Sequence, residues 1–501
     1  MALGQREQTP GRTAPDSLRA ARAGAPRGPR SARGPRILFL LGPAFVAAIA
    51  YVDPGNVAAN LTAGARYGYL LVWVLVAANG MAMIIQYQSA KLGIVTGRSL
   101  PELLGGRMHT ASRRAFWVQA ELVAAATDLA EVIGGAIALQ LLFGLPLLLG
   151  GVIVGVISMI ILAVQSQRGQ RPFETVIMTL LAVIAVGFLA GLFVSPVDWG
   201  AAAGGLVPRF VGTDTVLLAA GMLGATVMPH AIYLHSSLAR DRHVPTVVGE
   251  AHGRHDPSAA GSVRSAWAKG YAGVAGSAVV AGSGRSAVPH PAPPPNSVDP
   301  GAETFILHGG REVSSIRRLL HATKWDVAAA LVLAGAVNIS MLLTAAANLG
   351  GVSGTDTIAG AHAAITAALG PVIGVIFAIG LLASGLASTS VGSYAGATIM
   401  SGLLRVRIPL LLRRVVTLIP ALIILGVGVN PTWALVLSQV FLSLGIPFAL
   451  IPLIRLTGDR MLMGTFANRI PLRILCWVVA VLIVALNVAL IALTIGGGLG
   501  R

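Results

Sequence analysis

Long apolar runs separated by short polar, often basic, breaks dominate this chain. Eleven runs stand out, at 37–66, 69–94, 115–143, 146–165, 173–195, 213–239, 327–349, 372–403, 410–429, 431–455 and 471–497. They fit the ~20 residues a helix needs to cross ~30 Å of hydrocarbon. The pattern predicts an all-α polytopic membrane protein with eleven transmembrane helices. The first and sixth runs are interrupted near their middles by polar residues, proline and glycine.

Composition agrees with the pattern. Of 501 residues, 55% are hydrophobic and 11% charged, with a mean hydropathy of +0.78. Soluble domains carry about 25% charged residues, so the balance argues against a globular cytosolic enzyme. The net charge of +17 invites a nucleic-acid partner, but its distribution argues against one. Eight arginines fall in the first 36 positions, and most of the others sit between apolar runs.

With the N-terminus inside, the inner loops carry Arg98, Arg107, Arg113 and Arg114, then Arg168 and Arg171. The later ones carry the basic residues of 240–324, then Arg405, Arg407, Arg413 and Arg414, then Arg455, Arg460, Arg469 and Arg473. Outer positions hold Arg66 and Arg209, with Arg501 at the terminus. This alternation matches the positive-inside bias. It predicts a multi-pass protein of the cell membrane with a cytoplasmic N-terminus and an extracellular C-terminus. The single cysteine, Cys476, excludes internal disulfides and cysteine-based zinc sites.

Residues 1–36 have no apolar period and read as a disordered, Arg-rich cytoplasmic tail. The run 37–50 resembles a signal-peptide core, but its lead is long and apolar character resumes after Asn56, so we expect it to be retained. Residues 241–315 form a Pro-, Gly- and Ser-rich stretch with five histidines at 243, 252, 255, 290 and 308. They show no tight ligand spacing, so the stretch reads as a cytoplasmic low-complexity loop, with metal sensing as the alternative. The expected organisation is a first transmembrane repeat at 37–195, a second at 213–455 interrupted by this loop, and a final helix at 471–497.

The interrupted runs carry the chemistry. Asp53-Pro54-Gly55-Asn56 breaks the first and Ala225-Thr226-Val227-Met228-Pro229-His230 the sixth. Proline removes a backbone donor and glycine tolerates non-helical dihedrals, so both sites should be helix breaks. Unwound backbone at membrane depth survives only where it lines a protein cavity. Each break opens a five-segment block, the sequence mark of an inverted-repeat transporter with its site at the midplane. A carboxylate there costs ~2.5–3.5 kcal/mol even on the lenient insertion scale, so Asp53 needs a cation, a proton or a basic partner. Asp53, Asn56, the Ala225 carbonyl and, from the tenth run, Gln439 supply oxygen. Met228 adds a soft sulfur, tilting selection from Mg²⁺ or Ca²⁺ toward transition metals such as Mn²⁺ and Fe²⁺. With 5% aromatics, an organic-cation or amino-acid symporter is the alternative reading. No HExxH motif or zinc triad marks an enzyme.

Asp128 and Glu131 share one helix face at i and i+3. With His230 and an arginine of the ninth run, Arg413 or Arg414, they form the expected proton relay. His235 reads as a polar residue near the inner end of the sixth run.

Asp53-Pro54-Gly55-Asn56 and Met228-Pro229-His230 together resemble the Nramp family. So do Ala120-Glu121-Leu122, Thr127-Asp128-Leu129-Ala130-Glu131, Gln88-Ser89-Ala90-Lys91-Leu92-Gly93 and Ser438-Gln439. The likeness covers about 37–240 and 312–497. It implies a LeuT-type fold and proton-coupled symport of divalent metals without a resident cofactor. It also implies metal ligands at Asp53, Asn56, Ala225, Met228 and Gln439, and proton handling at Asp53, Asp128, Glu131 and His230 with Arg413 or Arg414 as partner charge. The 241–315 loop and the N-terminal tail are longer than the family's usual pattern, and the eighth run has fewer amides. The divalent metals, protons and the lipid bilayer are the expected partners; the sequence leaves oligomeric state open.

Overall fold

In a computed structural model, residues 42–168, 170–243, 313–355, 357–406 and 409–496 are described. The 1–36 tail and all of the 241–315 segment except its two ends lie outside them. Every regular element among the described residues is helical. The order is α1 (Pro43–Ala48), a 3₁₀ turn (Ile49–Tyr51), α2 (Pro54–Tyr67), α3 (Val72–Thr96), α4 (Leu100–Arg107), α5 (Thr110–Phe143), α6 (Leu147–Arg168) and α7 (Gln170–Val194). Then come α8 (Trp199–Gly204), α9 (Gly212–Thr226), α10 (Pro229–His243), α11 (Val313–Asn348), α12 (Ile358–Leu369) and α13 (Pro371–Leu404). Last are α14 (Leu410–Val427), α15 (Pro431–Gly458), α16 (Arg460–Met463), a second 3₁₀ turn and α17 (Ile470–Gly496).

Among the described residues, nine helical stretches are long and apolar enough to cross a membrane, with α9 and α10 counted as one. Eleven were expected. The first run falls short because its break leaves helices of 6 and 14 residues. Asn79, Gln86, Gln88 and Lys91 dilute the apolarity of α3. One boundary moves substantially: α11 begins at Val313, well before residue 327, because the basic stretch ahead of the apolar run is itself helical.

The fold is of the LeuT type. Corresponding members of the two five-segment blocks pack on each other: α3 on α11, α5 on α13, and α6 on α14. Small residues permit the close crossings; a Cβ on Gly187 of α7 would lie 2.7 Å from the Gly380 Cα of α13. α6, α14 and α17 turn apolar side chains outward, among them Ile160, Ile419 and Val481, as lipid-facing helices must.

Both breaks occur where the sequence places them. The first leaves helical geometry at Val52 (φ −131°, ψ 34°) and Asp53 (φ −72°, ψ 166°). Its released carbonyls find side-chain donors: Asn338 Nδ2 on Tyr51 O at 2.7 Å, and Ser384 Oγ on Val52 O at 2.5 Å. The second leaves it at Val227 (φ −101°, ψ 82°), two residues before Pro229 restarts the chain as α10. At the start of α1, Gly42 N and Ala44 N each donate to Asp326 of α11 at 3.0 Å. Gly42 has φ 141°, and a Cβ there would also press on the Glu174 carboxylate at 2.9 Å, so glycine is required.

Candidate functional site

Asp53 caps the N-terminus of α2, its Oδ1 accepting from Asn56 N at 2.9 Å. The Asn56 side-chain amide also donates to Asp53 Oδ1, and from the same nitrogen to Ala225 O at 3.1 Å. Oxygens from the two helix breaks thus converge on one nitrogen atom. Gln439 of α15 lies against Gly55, where a Cβ would collide with its amide and come within 3.1 Å of Asp53 Oδ2. Met228 sits at the second break, wholly buried. Asp53, Asn56, Ala225, Met228 and Gln439 are all closed to bulk solvent.

Several polar atoms here lack a hydrogen bond. Asp53 Oδ2, Asn56 Oδ1 and both Gln439 amide atoms are buried without a hydrogen-bond partner among the described residues. Such orphans are costly; a cation is the ligand that would satisfy the three oxygens together. No cluster of three or more His, Cys, Asp or Glu residues suited to a metal occurs among the described residues. The candidate donors at the two breaks are one carboxylate, that of Asp53, with the neutral oxygens of Asn56, Ala225 and Gln439 and the sulfur of Met228.

The second set of ionisable residues lies on α5 and its neighbours. Asp128 and Arg414 form an ion pair at 2.8 Å with both side chains at most 2% exposed. Thr389 Oγ1 donates to the same carboxylate oxygen at 3.1 Å, and Arg414 Nε donates to Ser158 Oγ at 2.9 Å. Arg413 goes elsewhere: its Nη2 meets Glu121 Oε1 at 2.6 Å, and its Nη1 donates to Ser393 O at 3.1 Å. Asp128 is thus paired with Arg414 and Glu121 with Arg413. Glu131 departs from the expected pairing, since both its carboxylate oxygens are buried without a hydrogen bond among the described residues. Its charged neighbours are Asp128, Asp53 and Arg414. His230 stands with Nδ1 3.5 Å from Thr127 Oγ1 and its Nε2 unbonded among the described residues.

Sequence reasoning missed a polar chain beneath the first break. His235 Nδ1 donates to Gln86 Oε1 at 2.8 Å, and Gln86 Nε2 donates to the Tyr51 hydroxyl at 2.6 Å. All three are buried. The signal was present, since Gln86 interrupts an apolar run, but its partners lie on other elements. Glu121 was visible only as part of a motif, and Asn338 and Asp326 were not singled out.

Paired helix breaks in two interlocking repeats, closed around a buried carboxylate, are the architecture of a membrane-embedded transporter. The family model described as "Natural resistance-associated macrophage protein-like" (Nramp) matches residues 44–493. The divalent metal cation transporter MntH of Mycobacterium tuberculosis is 52% identical over 459 residues, 92% of each chain. The crystal structure of the Eremococcus coleocola manganese transporter, in complex with an aromatic bis-isothiourea substituted compound, is similar with TM-score 0.72 and 28% identity, covering 91% of this chain and 86% of that one. MhsT in complex with L-phenylalanine shares the fold at TM-score 0.52 and 14% identity, covering 90% of this chain and 98% of that one. The chain belongs to the Nramp family.

Proposed function

We propose that the chain imports divalent transition-metal cations, Mn²⁺ and Fe²⁺, across the cell membrane by symport with protons. The observation that carries this reading is the convergence of Asp53 Oδ1 and Ala225 O on the Asn56 amide. Turning that amide over presents Oδ1 instead of the NH₂ group, so three oxygens from two broken helices face one point. Asp53 Oδ2 and the Gln439 carbonyl supply further oxygen, and Met228 the soft donor that disfavours Ca²⁺ and Mg²⁺. The names of the M. tuberculosis and E. coleocola relatives support the substrate class.

In this reading a partly dehydrated cation binds Asp53, Asn56, Ala225, Met228 and Gln439. Its charge alters the proton balance of Glu131, whose neighbours include Asp53. Protons then pass by way of Asp128 and His230, with Arg414 as the partner charge of Asp128 and Arg413 holding Glu121 in place. With a cytoplasmic N-terminus and an extracellular C-terminus, a negative-inside potential contributes ~2.3 kcal/mol per charge per 100 mV to entry. The segments at the two breaks move against the rest to open the site inward.

An amino-acid symporter of this fold is the second reading; the likeness to MhsT bears on fold alone. Liposomes loaded with a pH-sensitive dye decide between them. Added Mn²⁺ or Fe²⁺ should acidify the lumen in step with metal uptake, and amino acids should leave it unchanged. Metal uptake without acidification would refute proton coupling; amino-acid uptake indifferent to Met228 would refute the metal reading.

A further inference from the structure

The inner part of α11 divides into two faces. Ile316, Leu320, Thr323, Asp326 and Val327 are buried, whereas Arg317, Arg318, His321, Lys324 and Trp325 are exposed. At 3.6 residues per turn the exposed five share an arc of about 120°. Trp325 keeps 61% of its surface open, with its Nε1 donating to His321 Nε2 at 3.3 Å. The basic residues at the end of α10 are matched, Arg242 with Glu174 and Arg240 with Glu102 and Asp241. Arg317, Arg318 and Lys324 form no ion pair with any described residue.

This face also has a defined depth. The apolar run of α11 starts at Val327, so Trp325 stands at its polar edge, where indole rings settle at headgroup level. Unmatched cations beside an interfacial tryptophan are complementary to phosphate held at a bilayer surface. The 244–312 segment that leads into α11 is a poor competitor, since its five acidic and five basic residues leave no net charge. We propose that Arg317, Arg318, His321, Lys324 and Trp325 bind the headgroup of an anionic phospholipid. Asp326, on the opposite face of the same turn, holds the start of α1 through Gly42 and Ala44. The proposed lipid face and the contact with the first broken segment thus lie on two sides of α11. The inference requires a chain that spans a bilayer and is independent of which metal it carries.

The test uses the full chain in liposomes containing brominated phosphatidylglycerol or brominated phosphatidylcholine. The protein has seven tryptophans, so the Trp325 contribution is taken as the difference from W325F. Brominated phosphatidylglycerol should quench that contribution far more strongly at equal mole fraction. Each basic residue at a charged surface contributes a factor of about five, so the preference should fall by at least about tenfold in R317Q/R318Q/K324Q. A preference that survives the triple substitution overturns the proposal, as does equal quenching by both lipids. Quenching that emerges only after removal of 244–308 would make that segment the occupant and overturn it equally. Elution of the triple variant as a monodisperse species excludes misfolding as the cause of a lost preference.

Discussion

The side-chain amide of Asn56 donates to Asp53 Oδ1 within its own turn and to Ala225 O, 3.1 Å away, on the other broken helix. Residues 169 positions apart are thus joined by one side chain at the point where both helices unwind. The link holds only while the amide nitrogen faces inward, and a cation that draws the two oxygens to itself takes over the same role.

From this follows the first expected outcome. Asp53→Ala removes the sole carboxylate of the candidate ligand set and should reduce uptake of every divalent metal to the level of empty liposomes. Asp53→Asn, which keeps the shape and discards the charge, should fail as completely. Radiolabelled Mn²⁺ uptake measures both; substantial transport by either variant removes Asp53 from the ligand set.

Met228→Ala should behave differently. The variant keeps its oxygen donors and loses the soft one, so Mn²⁺ uptake should weaken while Ca²⁺ and Mg²⁺ become effective competitors. Competition measured over a series of metals gives the answer. Unchanged selectivity would show that sulfur plays no part in discrimination.

The two adjacent arginines of α14 should differ in what they contribute to stability. Arg414→Ala leaves Asp128 buried and unpaired, a change that costs about 3–5 kcal/mol. Arg413→Ala should cost clearly less, because its partner Glu121 remains 24% exposed and can be solvated. Thermal unfolding in detergent compares the two, and Asp128→Asn placed on the Arg414→Ala background should recover part of the loss. Equal midpoints for the two single variants would contradict the pairing.

The sequence made the helices and breaks legible because each is written locally, in apolar runs and in Pro and Gly at fixed places. Asp53 was legible because a carboxylate inside a span has few bland explanations. Glu131 was legible as a carboxylate inside a span, but its lack of an arginine partner and the choice between Arg413 and Arg414 were not, since both depend on how α5, α6, α13 and α14 rotate against one another. The Tyr51–Gln86–His235 chain stayed hidden for the same reason: its members come from three elements. The helical start of α11 was missed because basic residues masked a helix whose buried face is set by tertiary packing.

Gly55 offers a test of geometry alone. A methyl group there would collide with the Gln439 amide and crowd Asp53 Oδ2, yet alanine suits a helix better than glycine does. Gly55→Ala should therefore leave thermal stability within about 1 kcal/mol of the parent while abolishing metal uptake. Loss of both would point to a packing defect; loss of neither would place Gln439 away from the site.

Glu102 carries the last expectation, one of pH. It closes the capping box of α4 with Ser99 and pairs with Arg240 of α10, tying a peripheral helix to the segment after the second break. Burial alone would raise its carboxyl, but the hydrogen bond and charge of Arg240, with further bonds from Ser99, outweigh it and hold the group below its ordinary 4.5. A carboxyl depressed in the folded state stabilises fully above its unfolded value and loses that contribution as acid protonates it. The link between α4 and α10 should thus be intact at neutral pH and weaken as pH drops below about 4.5. Hydrogen exchange of the α4 amides should show protection falling over that window in the parent chain. In Glu102→Gln protection should already be low at pH 7 and change little on acidification; an identical acid profile in the two proteins would assign the transition to another group.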